Sequence, residues 1–346
     1  MGASQVALNL GDALSARGHE VVIWSPQPIP PGVRWWQDWV WRQRQLESYL
    51  DEGPPFDVVD LPSIAISRRI ARHAPLVARS VQPALLYFLL DAQASLRKAA
   101  SSPLMTAVQL LHTARLSAAV MRGWHHASLI LCLGTEEREW MRRHLPWTSS
   151  RLAHYFNAVR HEEREELSRV RRDRSTPPGP GLRFLWIGRW TQHKGTERLV
   201  RFLGRRAAAR PQDSFTLAGT GSAAGGSLPA ELRDHVRIIP SFHRNELPNL
   251  LGSHDAGLFT STSEGWGLSL NEMLESGMPV FATEVGGVRD LRPYFPNTLL
   301  PFPPPLDAGL TGQRETDLHP YYRHFTWEAI AERYEDDVLH RLRAMT

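Results

Sequence analysis

Two carboxylates and two cations in the second half of the chain have the types and spacing to do chemistry. Glu264 and Glu272 stand eight residues apart in EGWGLSLNE, with Gly265 and Gly267 flanking a tryptophan. Arg189 and Lys194 stand five apart in GRWTQHKG, directly after an apolar run that ends at Gly188. Paired carboxylates raise hydrolysis first. Were 264–272 all helix, the two Cα atoms would lie roughly 12 Å apart with their side chains on different faces. A glycosidase pair needs carboxyl groups roughly 5–9.5 Å apart. A loop followed by a helix fits the glycines better. The amides of Gly267, Leu268 and Ser269 then open the helix as an anion nest, and Glu272 falls in its first turns. The carboxylates become acceptors for sugar hydroxyls, and the two cations before a helix start suit a diphosphate. Alone, Arg189 and Lys194 would be ordinary surface charge, and Glu272 alone could answer the helix dipole. Neither bland reading explains the loop glycines.

These residues sit among alternating strand and helix patterns, the signature of parallel sheets with covering helices. In the first half, 6–18 reads as a helix ended by Gly18, and EVVIWSP (20–26) as a buried strand. Strands follow at 57–62 and 75–83 with a short helix at 66–73 between them. A long helical region runs from Leu85 to Arg122, then strand 128–134 and helix 135–145. A charged helical stretch, 162–174, leads into STPPGPG, the clearest linker. The pattern then restarts, with strands at 182–188, 214–221, 235–241, 255–261 and 279–285 and helices at 195–209, 245–253 and 268–277. PFPPPLDAG is irregular, and 321–345 reads as one amphipathic helix after an aromatic segment. The expected architecture is α/β with two Rossmann-like, doubly wound domains facing a central cleft: 1–172, a linker at 173–181, 182–318, and a final helix at 319–346. Ligands of such sheets bind at the carboxyl ends of the strands.

Composition narrows the classes. A single cysteine, Cys132, excludes a disulfide framework and points to a reducing, cytoplasmic setting; its apolar neighbours make it a buried, inert thiol. No apolar run reaches the roughly 18–20 residues that span a bilayer, and no secretion signal opens the chain. Lys98 and Lys194 are the only lysines in an arginine-rich chain. His125-His126 lacks carboxylate or cysteine company and reads as an exposed pair, so no metal site is expected. Trp35, Trp36, Trp39 and Trp41 hold four of the twelve tryptophans, flanked by arginines. Packing of the first lobe is the leading reading there. Peripheral docking on a membrane interface or stacking on acceptor sugars is the alternative.

GRWTQHKG, LAGTGS, EGWGLSLNE, SGMPVFATEVGG and FTWEAIAERY occur in this order, and together they resemble a retaining, nucleotide-sugar-dependent glycosyltransferase of family four, with the GT-B fold. The resemblance is dense from 183 to 300 and thinner before it, in SARGHEVVIWSP and YFNAVR, and it implies that the final helix, 319–346, packs back on the first domain. It implies that Arg189 and Lys194 hold the donor diphosphate, Glu272 the ribose and Glu264 the transferred sugar, with Gly188, Gly265, Gly267, Leu268 and Ser269 lining the site. It implies no metal and no cofactor beyond a UDP- or GDP-linked sugar as substrate, with a glycan or lipid-linked acceptor and no nucleic acid. The family opens with a strand and a Gly-Gly loop; here MGASQ begins inside that loop. The expectation is a first strand lost to truncation or a start assigned too late, with Gly2 the survivor near the donor phosphates. Gln82 stands where relatives place a histidine, and Ala158 and Arg160 replace the usual Gly and Asp. Rival readings are a GT-B scaffold impaired in catalysis, an epimerase or a phosphorylase.

Overall fold

The computed structural model describes residues 2–34, 37–97, 102–174, 181–224, 226, 228–307, 310 and 317–344. The chain forms two compact units, one of Met1–Phe156 with Trp327–Thr346 and one of Asn157–Thr326. Most of the expected linker, Trp35, Trp36 and Lys98 lie outside the described residues.

The first unit is built on a parallel sheet in the order β1 (Val59–Pro62), β2 (Leu76–Arg79), β3 (Leu129–Leu133), β4 (Leu152–Tyr155). LVAR and LILCL are buried at every position, as strands covered on both faces must be. Its helices are α1 (Gly2–Ala16), α2 (Asp38–Glu52), α3 (Ala84–Arg97), α4 (Pro103–His126) and α5 (Gly134–His144). Cys132 is fully buried, and burial pushes its thiol well above the ordinary value. The expected long helix at 85–122 is two helices. Pro103 takes the first turn of α4, where its missing N–H costs nothing. The expected helix at 66–73 shrinks to one 3₁₀ turn, Ile70–Arg72.

The expected strand at 20–26 is not a strand. Gly18 ends α1 with a left-handed φ of 93°, but the segment beyond it pairs with no strand among the described residues. Val22 and Ile23 are about half exposed. Apolar, β-branched sequence is a preference that needs a neighbour's backbone to satisfy it, and here the segment lies along α1, with the Ile23 side chain against Gly11.

The second unit holds a six-stranded parallel sheet in the order β10-β9-β8-β5-β6-β7. The strands are β5 (Arg183–Ile187), β6 (Ser214–Ala218), β7 (Val236–Ile239), β8 (Ala256–Phe259), β9 (Val280–Ala282) and β10 (Leu299–Pro301). The chain winds one way from β5 through β6 to β7, then crosses back to place β8, β9 and β10 on the other side. Adjacent β5 and β8 are therefore the point where strand order reverses, and a crevice opens there at their carboxyl ends. Helices α6 (His161–Asp173), α7 (Thr196–Ala209), α8 (Leu247–Gly252), α9 (Leu268–Glu275), α10 (Val288–Leu291) and α11 (His319–Tyr322) belong to this unit. An apolar core of Phe184, Trp186, Leu199, Leu203, Phe215 and Leu258 lies between the sheet and α7.

Both junctions differ from the sequence reading. Helix α6 was expected in the first domain. It instead packs on α8 and α9, and Arg171 and Arg174 at its end donate to the carbonyls of Glu275, Ser276, His254 and Leu251 at 2.6–3.1 Å. The expected single helix at 321–345 is broken: α11 stays with the second unit, and α12 (Trp327–Tyr334), followed by a wider π turn at Glu335–His340, joins the first. A buried polar knot holds α12 there. Arg79 forks onto Asp60, whose Oδ2 also accepts the Tyr334 hydroxyl at 2.7 Å. Arg79 lies over the Tyr155 ring at 4.8 Å and the Tyr334 ring at 5.6 Å. Tyr334→Phe removes one of these bonds while Arg79 keeps Asp60 paired. The expected loss is about 1 kcal/mol of stability, seen as faster amide exchange in 327–343 with β2 and β3 protection unchanged.

Candidate functional site

The four residues with which the sequence argument begins come from the loops after β5 and β8, at the reversal point. The two loops are locked to one another through backbone. Gly195 adopts φ 67°, and a Cβ built on it would stand 1.8 Å from the Thr260 carbonyl oxygen, so only glycine allows this approach. Thr260 Oγ1 donates to the Lys194 carbonyl at 2.8 Å, and the Thr262 N–H donates to the His193 carbonyl at 2.8 Å. Gly188 closes β5 by donating to Ala218, and the Lys194 stem runs 3.5 Å from where its Cβ would be.

Lys194 Nζ then donates to Glu264 Oε2, which also accepts Ser261 Oγ at 3.1 Å. Gly267 enters α9 at φ 91°, with the Phe259 ring 2.7 Å from its Cβ position. Leu268 and Ser269 form the first turn, and Glu272 follows one turn later, 5% exposed. Burial pushes the Glu272 carboxyl above the usual carboxylate range, and Arg244 and Lys194 act against that shift. Glu264, Lys194 and Glu272 are thus brought together in the second unit. Arg189 is exposed in the loop that carries Lys194, its side chain in no ion pair among the described residues. Gly265 is buried between Glu264 and Trp266. Gly2 belongs to the other unit, at the start of α1.

Three groups that sequence reading missed hold this arrangement. Arg244, from the turn after β7, donates to Glu272 Oε1 at 2.8 Å and forks onto Glu163 of α6 at 2.7 and 3.1 Å. Burial works against its charge, but the two carboxylates outweigh that and hold its pKa above the ordinary value. Trp266, buried to 2%, donates its indole N–H to Asn271 Oδ1 at 2.9 Å. Asn271 in turn donates to the Tyr321 hydroxyl at 3.0 Å, which donates to Glu275 Oε1 at 2.7 Å. A tryptophan between two glycines beside a helix start was the one available signal for such an anchor; the partners lie too far along the chain to be read.

Residues 181–299 match the family model described as "Glycosyl transferases group 1", the stretch where the motifs crowd. The chain is 29% identical over 119 residues to the uncharacterized glycosyltransferase YqgM of Bacillus subtilis, covering 33% of each. It is 30% identical over 129 residues to a D-inositol 3-phosphate glycosyltransferase of Pseudarthrobacter chlorophenolicus, covering 35% of this chain and 30% of that one. The alignments thus span about a third of these relatives' own length. Among solved structures, sucrose-phosphate synthase of Thermosynechococcus elongatus superposes with a TM-score of 0.65 at 16% identity, over 100% of this chain and 94% of that one. HepE of Anabaena in complex with UDP-glucose does so with a TM-score of 0.55 at 15% identity, over 100% and 94%. WaaG, a glycosyltransferase of lipopolysaccharide biosynthesis, gives 0.52 at 16%, over 97% and 92%. The fold is GT-B, and the stretch similar to the glycosyl transferases group 1 model lies in its second unit.

Glu275 supplies a test of the anchor. Burial raises its carboxyl to about 7 despite the Tyr321 and Tyr322 hydroxyls, and burial does the same to Glu137 in the first unit. A folded-state pKa above the unfolded value means the native state holds these protons more tightly. Their contribution is complete below the ordinary carboxylate pKa and is lost as pH rises through about 7. The thermal midpoint should therefore fall between about pH 5 and pH 8, and Glu275→Gln, which mimics the protonated form, should flatten that fall.

Proposed function

We propose that this chain transfers a glycosyl group from a nucleoside diphosphate-sugar to an acceptor hydroxyl, with retained anomeric configuration and without a metal. The observation that carries the reading is the gathering of Lys194, Glu264, Glu272 and the first turn of α9 at one strand reversal, with the exposed Arg189 in the loop that carries Lys194. In the reaction the bond from the anomeric carbon to the distal phosphate oxygen breaks and a bond to the acceptor oxygen forms. The acceptor's proton is released, and the nucleoside diphosphate leaves with the added negative charge. Fixed cations and helix-start amides stabilise that charge without having to reorganise. In this reading Lys194 and Arg189 face the diphosphate, Glu272 accepts the ribose hydroxyls, and Glu264 faces the transferred sugar. Arg244 opposes the protonation that burial favours at Glu272 and aims its carboxylate.

The donor and acceptor classes rest on likeness. HepE is described with UDP-glucose, and the Pseudarthrobacter relative is a D-inositol 3-phosphate glycosyltransferase by name. Uridine and guanosine diphosphate-sugars are the first donors to try, and glycans or lipid-linked sugars the first acceptors. We place the reaction in the cytoplasm, in glycan, glycolipid or cell-envelope polysaccharide synthesis; among the described residues no helix is long and apolar enough to cross a membrane.

A thermal-shift panel of nucleoside diphosphates and their sugars identifies the donor, since a ligand at 100 times its Kd stabilises by about 2.7 kcal/mol. With that donor, Lys194→Ala should lower kcat by about 10²–10³. Glu272→Ala should weaken nucleoside diphosphate binding, and it should weaken a 2′,3′-dideoxy analogue hardly at all. Unchanged turnover in Lys194→Ala would remove the assigned site. Arg244→Ala should weaken binding increasingly as pH falls, because Glu272 then loses the cation that opposes its protonation, whereas Arg244→Lys should restore part of it.

A further inference from the structure

The described residues include twelve large apolar side chains that stand in solvent, and seven of them lie on α3 and α4 of the first unit: Leu89, Leu96, Leu104, Met105, Val108, Leu111 and Met121. The two helices pack together, and Thr106 Oγ1 donates to the Ser95 carbonyl at 3.3 Å, which fixes their register. Leu96 of α3 therefore stands near Leu104 and Met105 of α4, where the chain passes from one helix to the other. Leu89 stands near Leu111, about two helical turns further along. Leu104 is 76% exposed, Met105 60%, and Leu89, Leu96 and Leu111 are each 56%. Scattered single exposures are normal on a protein surface; a contiguous apolar field on one pair of helices is not.

Charge decides what this field meets. Helix α4 has no Asp or Glu in 24 residues, and its exposed face adds only Gln109, Arg115, Arg122 and, in the last turn, His125 to the apolar side chains. Arg97 ends α3 beside Leu96 with its side chain exposed. Asp91 is the one acid on either helix. Apolar side chains flanked by arginines, with almost no acid, complement a layer of anionic headgroups over acyl chains. The tryptophan-rich segment is less suited to that role: Trp39 and Trp41 are half-buried on α2. We propose that the paired α3–α4 surface docks this protein on an anionic lipid bilayer, with Leu96, Leu104, Met105 and Leu111 entering the headgroup–acyl boundary and Arg97 and Arg115 on the phosphates.

Co-sedimentation of the full chain with phosphatidylcholine vesicles, with and without phosphatidylglycerol, tests this. Binding should require phosphatidylglycerol and weaken with salt. Replacing Leu104, Met105 and Leu111 together by Gln should lower vesicle affinity at least about tenfold. The thermal midpoint should not change, because these side chains make little use of the folded core. Arg97→Gln with Arg115→Gln should weaken binding to anionic vesicles while the apolar surface stays intact. Vesicle binding unaltered by the Gln triple variant overturns the proposal, as does absence of binding to phosphatidylglycerol vesicles. Sedimentation velocity separates the remaining occupant: a dimer that the triple variant converts to monomer would assign the surface to a second copy of this chain instead.

Discussion

The buried hydrogen-bond chain from the Trp266 indole through Asn271 and Tyr321 to Glu275 fixes the one loop that every other part of the site refers to. Residues 260–267 have no ladder of their own, and a loop rich in Ser, Gly and Thr has many conformations to lose. Burying an indole in its middle replaces that freedom by one position. Gly287 donates to the Trp266 carbonyl at 2.9 Å, and its Cβ would lie 2.8 Å from the indole, so the next loop is moulded around the same ring. Tyr321 and Phe325 stack on each other and complete the pocket from the far end of the unit's sequence. The loop is therefore made rigid from its Trp266 side, while Glu264 on the same loop turns to Lys194 and Ser261.

That anchoring explains why so many acids can gather on one short helix. Glu272 and Glu275 are both buried on α9, and each has a separate answer to its desolvation. Burial raises the Glu275 carboxyl, which faces the anchor, to about 7, with the Tyr321 and Tyr322 hydroxyls and the charges of Arg164 and Arg171 acting against that rise. Glu272, facing the cleft end of the sheet, is met by a guanidinium, which opposes the same rise. The two carboxylates lie three residues apart and burial raises both; they differ in their hydrogen-bond donors, tyrosine hydroxyls on Glu275 and a guanidinium on Glu272. Lys194 on Glu264 repeats the charged arrangement across the loop. Breaking such a pair is costly because the remaining charge stays in poor solvent, so the cations are part of what keeps the carboxylates usable as acceptors.

Most of the second unit was legible in sequence because its information is local. β5 through β9 are short apolar runs bounded by glycine or polar turns, and helix starts such as Gly195-Thr196 and Gly267-Leu268 carry their own backbone signals. β10 was not read, since three residues of Leu-Leu-Pro before a proline-rich stretch have no periodicity to show. The site residues were legible as types at a spacing; what holds them was not. Arg244 is 28 residues from Glu272 and 81 from Glu163, in a turn just before the expected helix at 245–253. In the first half the pattern misled at 20–26, where strand propensity is real and a strand partner among the described residues is missing.

The chain's final segment shows why domain limits are harder to read than elements. His319–Thr326 and Trp327–Thr346 form a continuous aromatic and amphipathic run, yet the first part packs on α9 and the second on β1, β2 and β4. Sequence periodicity reports that a face is buried, not which sheet buries it. The choice is made by single polar matches: Tyr321 finds the buried Glu275, and Tyr334 finds Asp60, already bound by Arg79. A phenol is suited to this, since its ring adds apolar area while its one hydroxyl tests for one partner. Two tyrosines thirteen residues apart thus assign adjacent stretches of one amphipathic pattern to different cores, and the break in the helix between them follows from that division.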